Sequence, residues 1–294
     1  MEKIAVSKIK EILKEITTPD DPRLIEFQKD TRKGVQLAVS QWQRKKDKYL
    51  ALEKKYKEMS LFEEEKKAAG FRAICGIDEV GRGPLAGPVV AAAVILNDEH
   101  AILGLNDSKQ LSSHRREELV KEIEKNARAI GIGEATAEEI DQLNIYQATK
   151  VAMQRAIDHL EIAPDCLLID AMALDNGLPQ EKIIKGDARS VSIAAASIIA
   201  KVYRDEWMAN YGERYPEYGF AKNAGYGTKE HLKAIDEQGI LPIHRKTFAP
   251  IKNSLLYTSR CVLYWCGDSW ILINSCSGDR QFNGSNLESR GHGL

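Results

Sequence analysis

The 294-residue sequence predicts an α/β fold, in which helices flank a mixed five-stranded sheet and an all-helical extension precedes it. From Phe71 onward, short β-branched or apolar runs alternate with helical patterns. Only a glycine-rich turn separates the first two apolar runs, which predicts an antiparallel pair. Long helical patterns separate the later runs, which predicts parallel strands. With 43% hydrophobic residues, the chain has enough apolar material for a core of this size.

Residues 1–66 are predicted to form the helical N-terminal extension. Apolar residues recur there at helical spacing on one side, and the first helix is expected to end before Pro19. The acids before Pro22 supply the N-cap of a second, short helix, and Pro22 is its first helical residue. A long charged helix follows Gly34. We predict that it presents a solvated face, with a basic surface for a nucleic-acid backbone as the alternative.

Residues 71–256 are predicted to form the α/β domain. The strands are predicted at 73–77, 88–96, 129–133, 166–170 and 182–184, and the helices near 112–125, 144–160, 190–211 and 228–238. Residues 257–294 lack convincing periodicity and end in a Gly/Ser/Asn-rich stretch, so we predict a tail outside the core, disordered or foreign to the fold.

Composition and charge exclude several classes of protein. The net charge of −1 indicates no global basic field, although a local basic groove is compatible with that total. The sequence lacks the roughly 18 consecutive apolar residues of a membrane helix and the apolar core of a signal peptide, which predicts a cytoplasmic protein with no membrane partner. The five cysteines form no CxxC pair, which favours reduced thiols over disulfides or a zinc site. A monomer is expected.

Four acids lie at predicted strand ends, where an open α/β sheet forms its ligand crevice. They are Asp78, Glu79, Asp170 and Asp187. Two carboxylates about 4 Å apart repel each other by several kcal/mol at an effective dielectric constant near 20, so such a cluster needs protons or cations. Oxygen ligands without histidine or cysteine favour Mg²⁺ or Mn²⁺. Taken singly, each acid could instead be a helix cap or a turn former.

A glycine turn and several polar residues accompany these acids. Gly81 and Gly83 would let a substrate approach the backbone closely, and Arg82 could pair with a phosphate; a plain hairpin turn is the alternative. Tyr226 stands between glycines, where it could stack on a sugar or base or anchor a loop. The nearly all-apolar segment 190–205 predicts a buried helix whose serines bond within the helix and from whose end Lys201 and Arg204 emerge.

These residues lie within long, ordered motifs that resemble the bacterial ribonuclease HII family across Phe71 to Lys252. The motifs are GIDEVGRGPLAGPVV, NDSKQL, LLIDA, KGDARS, SIAAASIIAKVYRD, GYGT and HRKTFAP. The resemblance implies an RNase H-like sheet and an endonuclease that cuts RNA/DNA hybrids and ribonucleotides embedded in duplex DNA, as in ribonucleotide excision repair. It implies two divalent cations, Mg²⁺ or Mn²⁺, and a cut that leaves a 3′-hydroxyl and a 5′-phosphate. The related ribonuclease HIII class differs in its glycine motif and N-terminal domain.

The resemblance also implies a role for each candidate residue. The four metal-binding, catalytic carboxylates are Asp78, Glu79, Asp170 and Asp187. The residues that contact the ribonucleotide or the flanking strand are Gly81, Arg82, Gly83, Lys109, Lys201 and Tyr226, with Tyr226 stacking on the following deoxyribose. Two alternatives remain open: a DNA nuclease or strand transferase built on the same sheet, and a hybrid-binding module without catalysis.

Overall fold

A computed structural model describes residues 4–252 of the chain and the backbone of two strands at 261–266 and 269–274. The helices are α1 (Val6–Glu15), α2 (Pro22–Gln28), α3 (Lys33–Met59), α4 (Leu61–Ala68), α5 (Ser113–Asn126), α6 (Ala137–Leu143), α7 (Ile145–Asp158), α8 (Val191–Arg214), α9 (Phe220–Asn223) and α10 (Lys229–Gln238). The strands are β1 (Ile74–Val80), β2 (Val89–Leu96), β3 (Ala127–Ala135), β4 (Cys166–Asp170), β5 (Gln180–Ile183), β6 (Cys261–Cys266) and β7 (Ser269–Asn274).

The central sheet has five strands in the order β3-β2-β1-β4-β5. Strand β2 pairs antiparallel with both β1 and β3. Strand β4 pairs parallel with both β1 and β5. The structure therefore confirms the predicted mixed sheet, its antiparallel beginning and its parallel continuation. A short glycine turn can only join antiparallel neighbours, whereas the crossovers to β4 and β5 leave the sheet and return.

Helices cover both faces of this sheet, which explains why β1 and β2 are almost continuously apolar. On one face α7 packs Ala152 and Met153 against a cluster that includes Ile77. On the other face α8 contributes more of the buried side chains than any other element, including Ile198. Gly76 permits the close approach of α8, because a Cβ at this position would overlap the backbone of Ser192.

Two helical boundaries differ from the predictions. The pattern near 144–160 is preceded by a separate helix, α6, which begins with a capping box formed by Thr136 and Glu139. Asn144 divides α6 from α7 because its φ of 71° lies outside the helical region. The long charged helix of the extension ends at Met59, and α4 begins after Ser60. Helix α9 was also not predicted, since a four-residue helix has no periodicity to detect.

The N-terminal extension has its own small core and packs against the α/β domain at the end of α3. Side chains of α1, α2 and the first turns of α3 form this core, which includes Leu13, Leu24 and Val35. The Asp21 side chain caps α2 by accepting from the backbone N–H of Arg23, as the acids before Pro22 predicted. The remainder of α3 runs from this bundle to the α/β domain, where Met59 is buried in a cluster with residues of α8.

A buried carboxylate joins the extension to α8. Glu63 of α4 accepts hydrogen bonds through Oε1 from the hydroxyls of Ser190 and Ser192, both at 2.6 Å, and from the Ser192 N–H at 3.0 Å. These serines lie at the beginning of α8, so the prediction that they bond within their own helix is incomplete. Ser190 does cap the helix through Ile193, but both hydroxyls are also bound by the extension.

Within residues 257–294, where we predicted a tail without regular structure, β6 and β7 pair with each other as a separate two-stranded sheet. The rest of this segment lies outside the described residues. None of the helices in the described part of the chain combines the length and apolar character that crossing a bilayer requires. Cys75 and Cys166 are buried, free thiols on adjacent strands.

Candidate active site

Three of the four predicted acids lie at the ends of two neighbouring parallel strands. Ile77 of β1 pairs with Ile169 of β4, so Asp78 and Asp170 follow at the same level of the sheet. Asp78 is only 4% exposed, and its Oδ1 accepts from the N–H of Glu79 at 2.8 Å. The apolar residues that precede these acids anchor β1 and β4 in the core. The acids at the ends of these strands are therefore held at the border of the core.

The fourth acid is connected to this strand end by a backbone hydrogen bond. The N–H of Gly186 donates to Oδ1 of Asp170 at 2.8 Å. Gly186 begins a short 3-10 helix that contains Asp187, and Asp187 is also buried. The structure therefore brings Asp187, which is 17 residues after Asp170 in the chain, next to the end of β4.

The acids share one electrostatic environment. Burial raises the pKa of Asp78 well above its ordinary value, and the charges of Glu79 and Asp170 raise it further. Burial also raises the pKa of Glu79; Asp170 adds to this shift, while Arg82 opposes it. Carboxyl groups that raise each other's pKa are close enough to repel, which is the condition under which a bound cation is most stabilising.

The ammonium of Lys109 interacts electrostatically with the same acids. Burial lowers the pKa of its ammonium, but Asp107, Asp187 and Asp78 together raise it above the ordinary value. In return, Lys109 opposes the rise that burial, Asp107 and Asp170 impose on the pKa of Asp187. The 3-10 helix at Ser108–Gln110, which Asp107 caps, positions this lysine beside the acids.

One serine of α8, Ser197, holds Asp78, and Ser108 contacts this serine in turn. The Ser197 hydroxyl hydrogen-bonds the Asp78 carboxylate, which lowers the pKa of this acid against the effect of burial. The hydroxyls of Ser197 and Ser108 lie 3.0 Å apart. Ser197 thus connects β1, α8 and the Lys109 turn, although the sequence predicted only a helix-internal bond for it.

The donor set fits a hard divalent cation. It consists of carboxylate oxygens, and Oε2 of Glu79 is buried with no hydrogen-bond partner in the part of the chain that the structure describes. A buried, unpartnered carboxylate oxygen is unfavourable unless a ligand completes it. Among the described residues no three acids, histidines or cysteines are already arranged as a closed metal cluster. Binding by the full set therefore requires side-chain adjustment.

The glycine turn is fixed by a buried arginine that the sequence analysis did not single out. Arg245 donates to the carbonyl oxygens of Gly81 at 2.6 Å, Arg82 at 3.0 Å and Gly87 at 2.8 Å. Gly81 has a φ of +92°, and a Cβ there would lie 2.9 Å from the carbonyl oxygen of Pro88. Only glycine fits this position without strain.

A second buried arginine, Arg204, fixes the same region, and the prediction that it emerges from the end of its helix is wrong. Its guanidinium donates to the carbonyl oxygens of Pro88 at 2.9 Å and of Ala86 and Ala224 at 3.0 Å. Helix α8 continues to Arg214, so Arg204 lies within it and faces the turn. Burial lowers the pKa of Arg204 to about 10, and burial together with Arg204 lowers that of Arg245 to about 9.

Tyr226 lies on a loop that the glycine turn contacts directly. The N–H groups of Leu85 and Ala86 donate to the carbonyl oxygen of Gly225 at 2.8 and 3.3 Å. The Tyr226 side chain is 50% exposed, so it is not a hydrophobic anchor. A Cβ at Gly83 would lie 3.6 Å from Cε1 of the tyrosine ring and would meet no other atom of the described residues within 4 Å. Gly83 and the ring therefore face each other at the surface.

Two buried histidines, His231 and His244, connect to the backbone of this loop through hydrogen bonds. Leu241 N–H donates to Nδ1 of His244 at 2.7 Å, the two Nε2 atoms of His244 and His231 lie 3.0 Å apart, and Nδ1 of His231 lies 2.9 Å from the carbonyl oxygen of Tyr226. Donation in this one direction satisfies every ring nitrogen with both histidines neutral. Burial lowers both pKa values, that of His244 to about 4.

The remaining two candidates, Arg82 and Lys201, each form an exposed or partly buried ion pair. Nη1 of Arg82 lies 3.4 Å from Oε1 of Glu79, which places the guanidinium at the border of the acid cluster. Nζ of Lys201 lies 2.6 Å from Oδ1 of Asp205, its i+4 neighbour on α8. The structure thus brings Arg82 and Lys109 to the acids, while the contact it describes for Lys201 is with Asp205.

A mixed five-stranded sheet with acids at its central strand ends is the architecture of RNase H-like enzymes, and comparison with solved structures supports this class. The crystal structure of ribonuclease H2 from Pyrococcus horikoshii superposes with a TM-score of 0.54 and 26% sequence identity. The match covers 62% of this chain and 96% of that one.

The sequence comparisons then define the family. The family model described as Ribonuclease HII matches residues 75–251, and the Ribonuclease HII N-terminal domain model matches residues 5–67. Relatives named Ribonuclease HII are 58% identical over 87% of this chain and the whole protein in Enterococcus faecalis, and 54% identical over 86% of this chain and 99% of the protein in Staphylococcus aureus. The chain belongs to the ribonuclease HII family and is a ribonuclease H enzyme.

Proposed function

We propose that the chain is a divalent-metal-dependent endonuclease that cuts the RNA strand of RNA/DNA hybrids and cuts 5′ of ribonucleotides embedded in duplex DNA. The observation that carries this proposal is the position of Asp78, Glu79 and Asp170 at the ends of β1 and β4 with Asp187 on the adjoining 3-10 helix, and with one buried Glu79 oxygen that has no hydrogen-bond partner among the described residues. In the cytoplasm, this activity would serve ribonucleotide excision repair. The chain would act as a monomer, with catalysis in residues 71–256, an extension at 1–66 and a tail at 257–294.

Metal binding is assigned to the four acids. Two divalent cations, Mg²⁺ or Mn²⁺, would supply an activated water and stabilise the leaving 3′ oxygen in an in-line displacement that yields a 3′-hydroxyl and a 5′-phosphate. Asp78 and Asp170 are held by Ser197 and the Gly186 N–H, so their positions are set before a ligand arrives. Glu79 and Asp187 complete the set. Lys109 and Arg82 carry positive charge at its border, where a phosphate would be bound.

Discrimination of RNA from DNA is assigned to the glycine turn and Tyr226. The 2′-hydroxyl is the group by which a protein distinguishes the two nucleic acids. Gly83 is exposed and carries no side chain, so this hydroxyl could be bound closely there, while the buried Gly81 would shape the turn that presents it. Tyr226 faces Gly83 and would stack on the following deoxyribose, where an additional hydroxyl would crowd the ring. Lys201 is assigned, with Lys109, to the scissile and flanking phosphates, and Arg82 is assigned to the ribonucleotide together with the two glycines.

The decisive experiment is cleavage of a duplex that contains one ribonucleotide, in Mg²⁺ and in Mn²⁺, beside an all-DNA duplex and an RNA/DNA hybrid. We expect cleavage of the ribonucleotide-containing duplexes alone. Asp78→Asn should abolish it, whereas Asp236→Asn, an exposed acid on α10, should leave it unchanged. Cutting of the all-DNA duplex would favour a DNA nuclease or strand transferase. Binding without turnover in either metal would identify a hybrid-binding module.

A further inference from the structure

A single buried carboxylate connects helix α4 to the segment that carries Asp187. Glu63 is only 6% exposed, although the two acids that follow it in α4 are exposed. Its Oε1 atom accepts hydrogen bonds from the hydroxyls of Ser190 and Ser192, both at 2.6 Å, and from the N–H of Ser192 at 3.0 Å. Burial of a carboxylate is unfavourable unless hydrogen bonds compensate it, and here three of them come from the beginning of α8.

The backbone around Ser190 connects this contact to the metal-binding acids. The N–H of Ser190 donates to the carbonyl oxygen of Gly186 at 2.8 Å. The N–H of Gly186 in turn donates to Oδ1 of Asp170 at 2.8 Å. Asp187 lies inside the turn that the bond between Ser190 and Gly186 closes. A series of three hydrogen bonds therefore leads from Glu63, past Asp187, to Asp170.

Two further side chains of α4 contact the same segment of the chain. The guanidinium of Arg189 lies 5.1 Å from the centroid of the Phe62 ring, which is the distance of a cation–π contact. Nζ of Lys66 lies 2.5 Å from Oε2 of Glu181 in β5. Helix α4 therefore contacts the chain before Asp187, at β5, and again directly after it.

The backbone just before Asp187 is strained and depends on such contacts. Lys185 has a φ of 57° and a ψ of 45°, which is the left-handed region, although it is not a glycine. Residues with a Cβ adopt this conformation at a cost and remain in it only where the surrounding structure holds them. Since Gly186 follows directly, release of the contacts after Asp187 would allow this turn to relax away from Asp170.

We infer that Glu63 is a positioning residue for the metal-binding acids Asp170 and Asp187. The inference rests on the proposed function, since that proposal assigns metal binding to these acids. Glu63 acts on them through Ser190 and Gly186. Partners that hold metal ligands by hydrogen bonds contribute roughly 10–100-fold to metal affinity. Helix α4 would thus support the metal site itself, independently of any contact with the substrate.

A contact that only joins two parts of the fold would behave differently from a positioning contact. Its loss lowers stability but leaves the metal affinity of the folded protein unchanged, whereas loss of a positioning contact lowers both. The discriminating readout is therefore the affinity for Mn²⁺ in the absence of nucleic acid. It is measured on the full chain by the electron paramagnetic resonance signal of free Mn²⁺. Circular dichroism establishes a temperature at which each variant is folded.

Substitutions of Glu63 separate the acceptor oxygen from the charge. Glu63→Ala removes both, whereas Glu63→Gln keeps an acceptor oxygen for the serines and removes only the charge. Glu65→Ala removes a charge from the same helix at a side chain that is 72% exposed, and is the control. We expect Glu63→Ala to bind Mn²⁺ about tenfold more weakly than the unsubstituted chain. Glu63→Gln should recover most of this loss, and Glu65→Ala should show none.

The two serines provide a matched pair of variants. Both are buried and both give Glu63 a hydroxyl at 2.6 Å, but only Ser190 continues to Gly186. Ser190→Ala should therefore weaken Mn²⁺ binding, whereas Ser192→Ala should lower the Tm without this effect. Adding Ser190→Ala to Glu63→Ala should cause little further loss of Mn²⁺ affinity, because both residues belong to one series of hydrogen bonds.

Unchanged Mn²⁺ affinity in folded Glu63→Ala, beside a lower Tm, would overturn the inference. An equal loss in Glu65→Ala would overturn it as well, because the charge of α4 alone would then explain the result. If the unsubstituted chain binds Mn²⁺ and cuts the ribonucleotide-containing duplex, either outcome removes only the positioning role of Glu63. If the unsubstituted chain binds no Mn²⁺, the metal assignment of the proposed function is lost, and the inference with it.

Discussion

Nη2 of Arg245 donates to the carbonyl oxygen of Gly81 at 2.6 Å, in a region where neither group is accessible to solvent. Among the described residues the guanidinium donates to main-chain carbonyl oxygens and to no carboxylate. Five donors in a fixed plane can hold several carbonyls at once, which an ammonium cannot. The backbone of the glycine turn is therefore set by a residue 164 positions away in the chain.

Replacing Arg245 by lysine should damage both stability and catalysis. The lysine retains the charge but leaves carbonyl oxygens of the turn without partners, so the free energy of unfolding should fall by about 2–3 kcal/mol in urea titrations. Misplacement of the turn should lower kcat/KM for an embedded ribonucleotide on the order of 100-fold. Lys246→Ala, at the exposed neighbouring position, is the control. Unaltered kinetics in Arg245→Lys would show that the turn does not need this arginine.

Replacing each of the two glycines of the turn by alanine should affect a different property: stability at Gly81 and substrate binding at Gly83. Gly81→Ala forces a Cβ onto a residue with a φ of +92° and against the carbonyl of Pro88, so it should destabilise the fold by roughly 1–3 kcal/mol. Gly83→Ala meets only the edge of Tyr226 at 3.6 Å and should fold normally. Its defect should appear in KM for the ribonucleotide duplex. Thermal unfolding and steady-state kinetics of both variants separate the two effects.

Tyr226→Ala should leave stability within about 0.5 kcal/mol, because the side chain is half exposed. Loss of stacking should slow cleavage at an RNA-to-DNA junction by roughly tenfold and reduce the preference for the junction over an all-RNA strand. Tyr226→Phe, which keeps the aromatic face, should retain most activity. Equal rates for the alanine variant and the unsubstituted chain on both substrates would contradict the stacking role.

The His231–His244 pair should make the Tyr226 loop sensitive to acid. The folded protein keeps His244 neutral down to a pKa of about 4, whereas the unfolded chain takes up this proton near the ordinary value of 6.5. Stability from this group is therefore complete above pH 6.5 and is lost as the pH falls toward 4. Protonation of Asp78, whose pKa is raised, acts in the opposite direction.

Comparison with His244→Gln isolates the histidine contribution, because the acids are the same in both proteins. Urea unfolding at several pH values between 7 and 4 should show a smaller loss of stability on acidification for His244→Gln than for the unsubstituted chain. Parallel stability curves for the two proteins would show that His244 is not kept neutral by the fold.

Removal of the Asp78 charge should stabilise the metal-free protein. Burial and the neighbouring acids raise the pKa of this group, so its ionised form opposes folding at neutral pH. Asp78→Asn should therefore raise the Tm in EDTA, while abolishing the additional rise that Mn²⁺ produces in the unsubstituted chain. A Mn²⁺-dependent rise of the same size in both proteins would contradict the assignment of Asp78 as a metal ligand.

The sheet and the acids were predictable because their signals are local. Short apolar runs show where the strands end, and an acid immediately after such a run is placed by its own strand, as for Asp78 and Asp170. The buried arginines were not predictable on the same basis. Arg204 and Arg245 bind carbonyl oxygens of residues more than 100 positions away in the chain. Every residue has a main-chain carbonyl, so the residue types do not indicate which carbonyl an arginine will bind. The family resemblance supplied the motifs that contain them, but not their partners.

The contact between Glu63 and the serines of α8 has a consequence for how the chain can be divided. The two family models separate at residues 67 and 75, as if the extension were an attachment to a complete enzyme. Glu63 lies before that division, while both hydroxyls it binds follow Asp187. A polypeptide begun at residue 71 would leave these hydroxyls without their acceptor, three and five positions beyond an assigned metal ligand. Glu63 therefore gives the extension a structural role in the α/β domain at the point where the two meet.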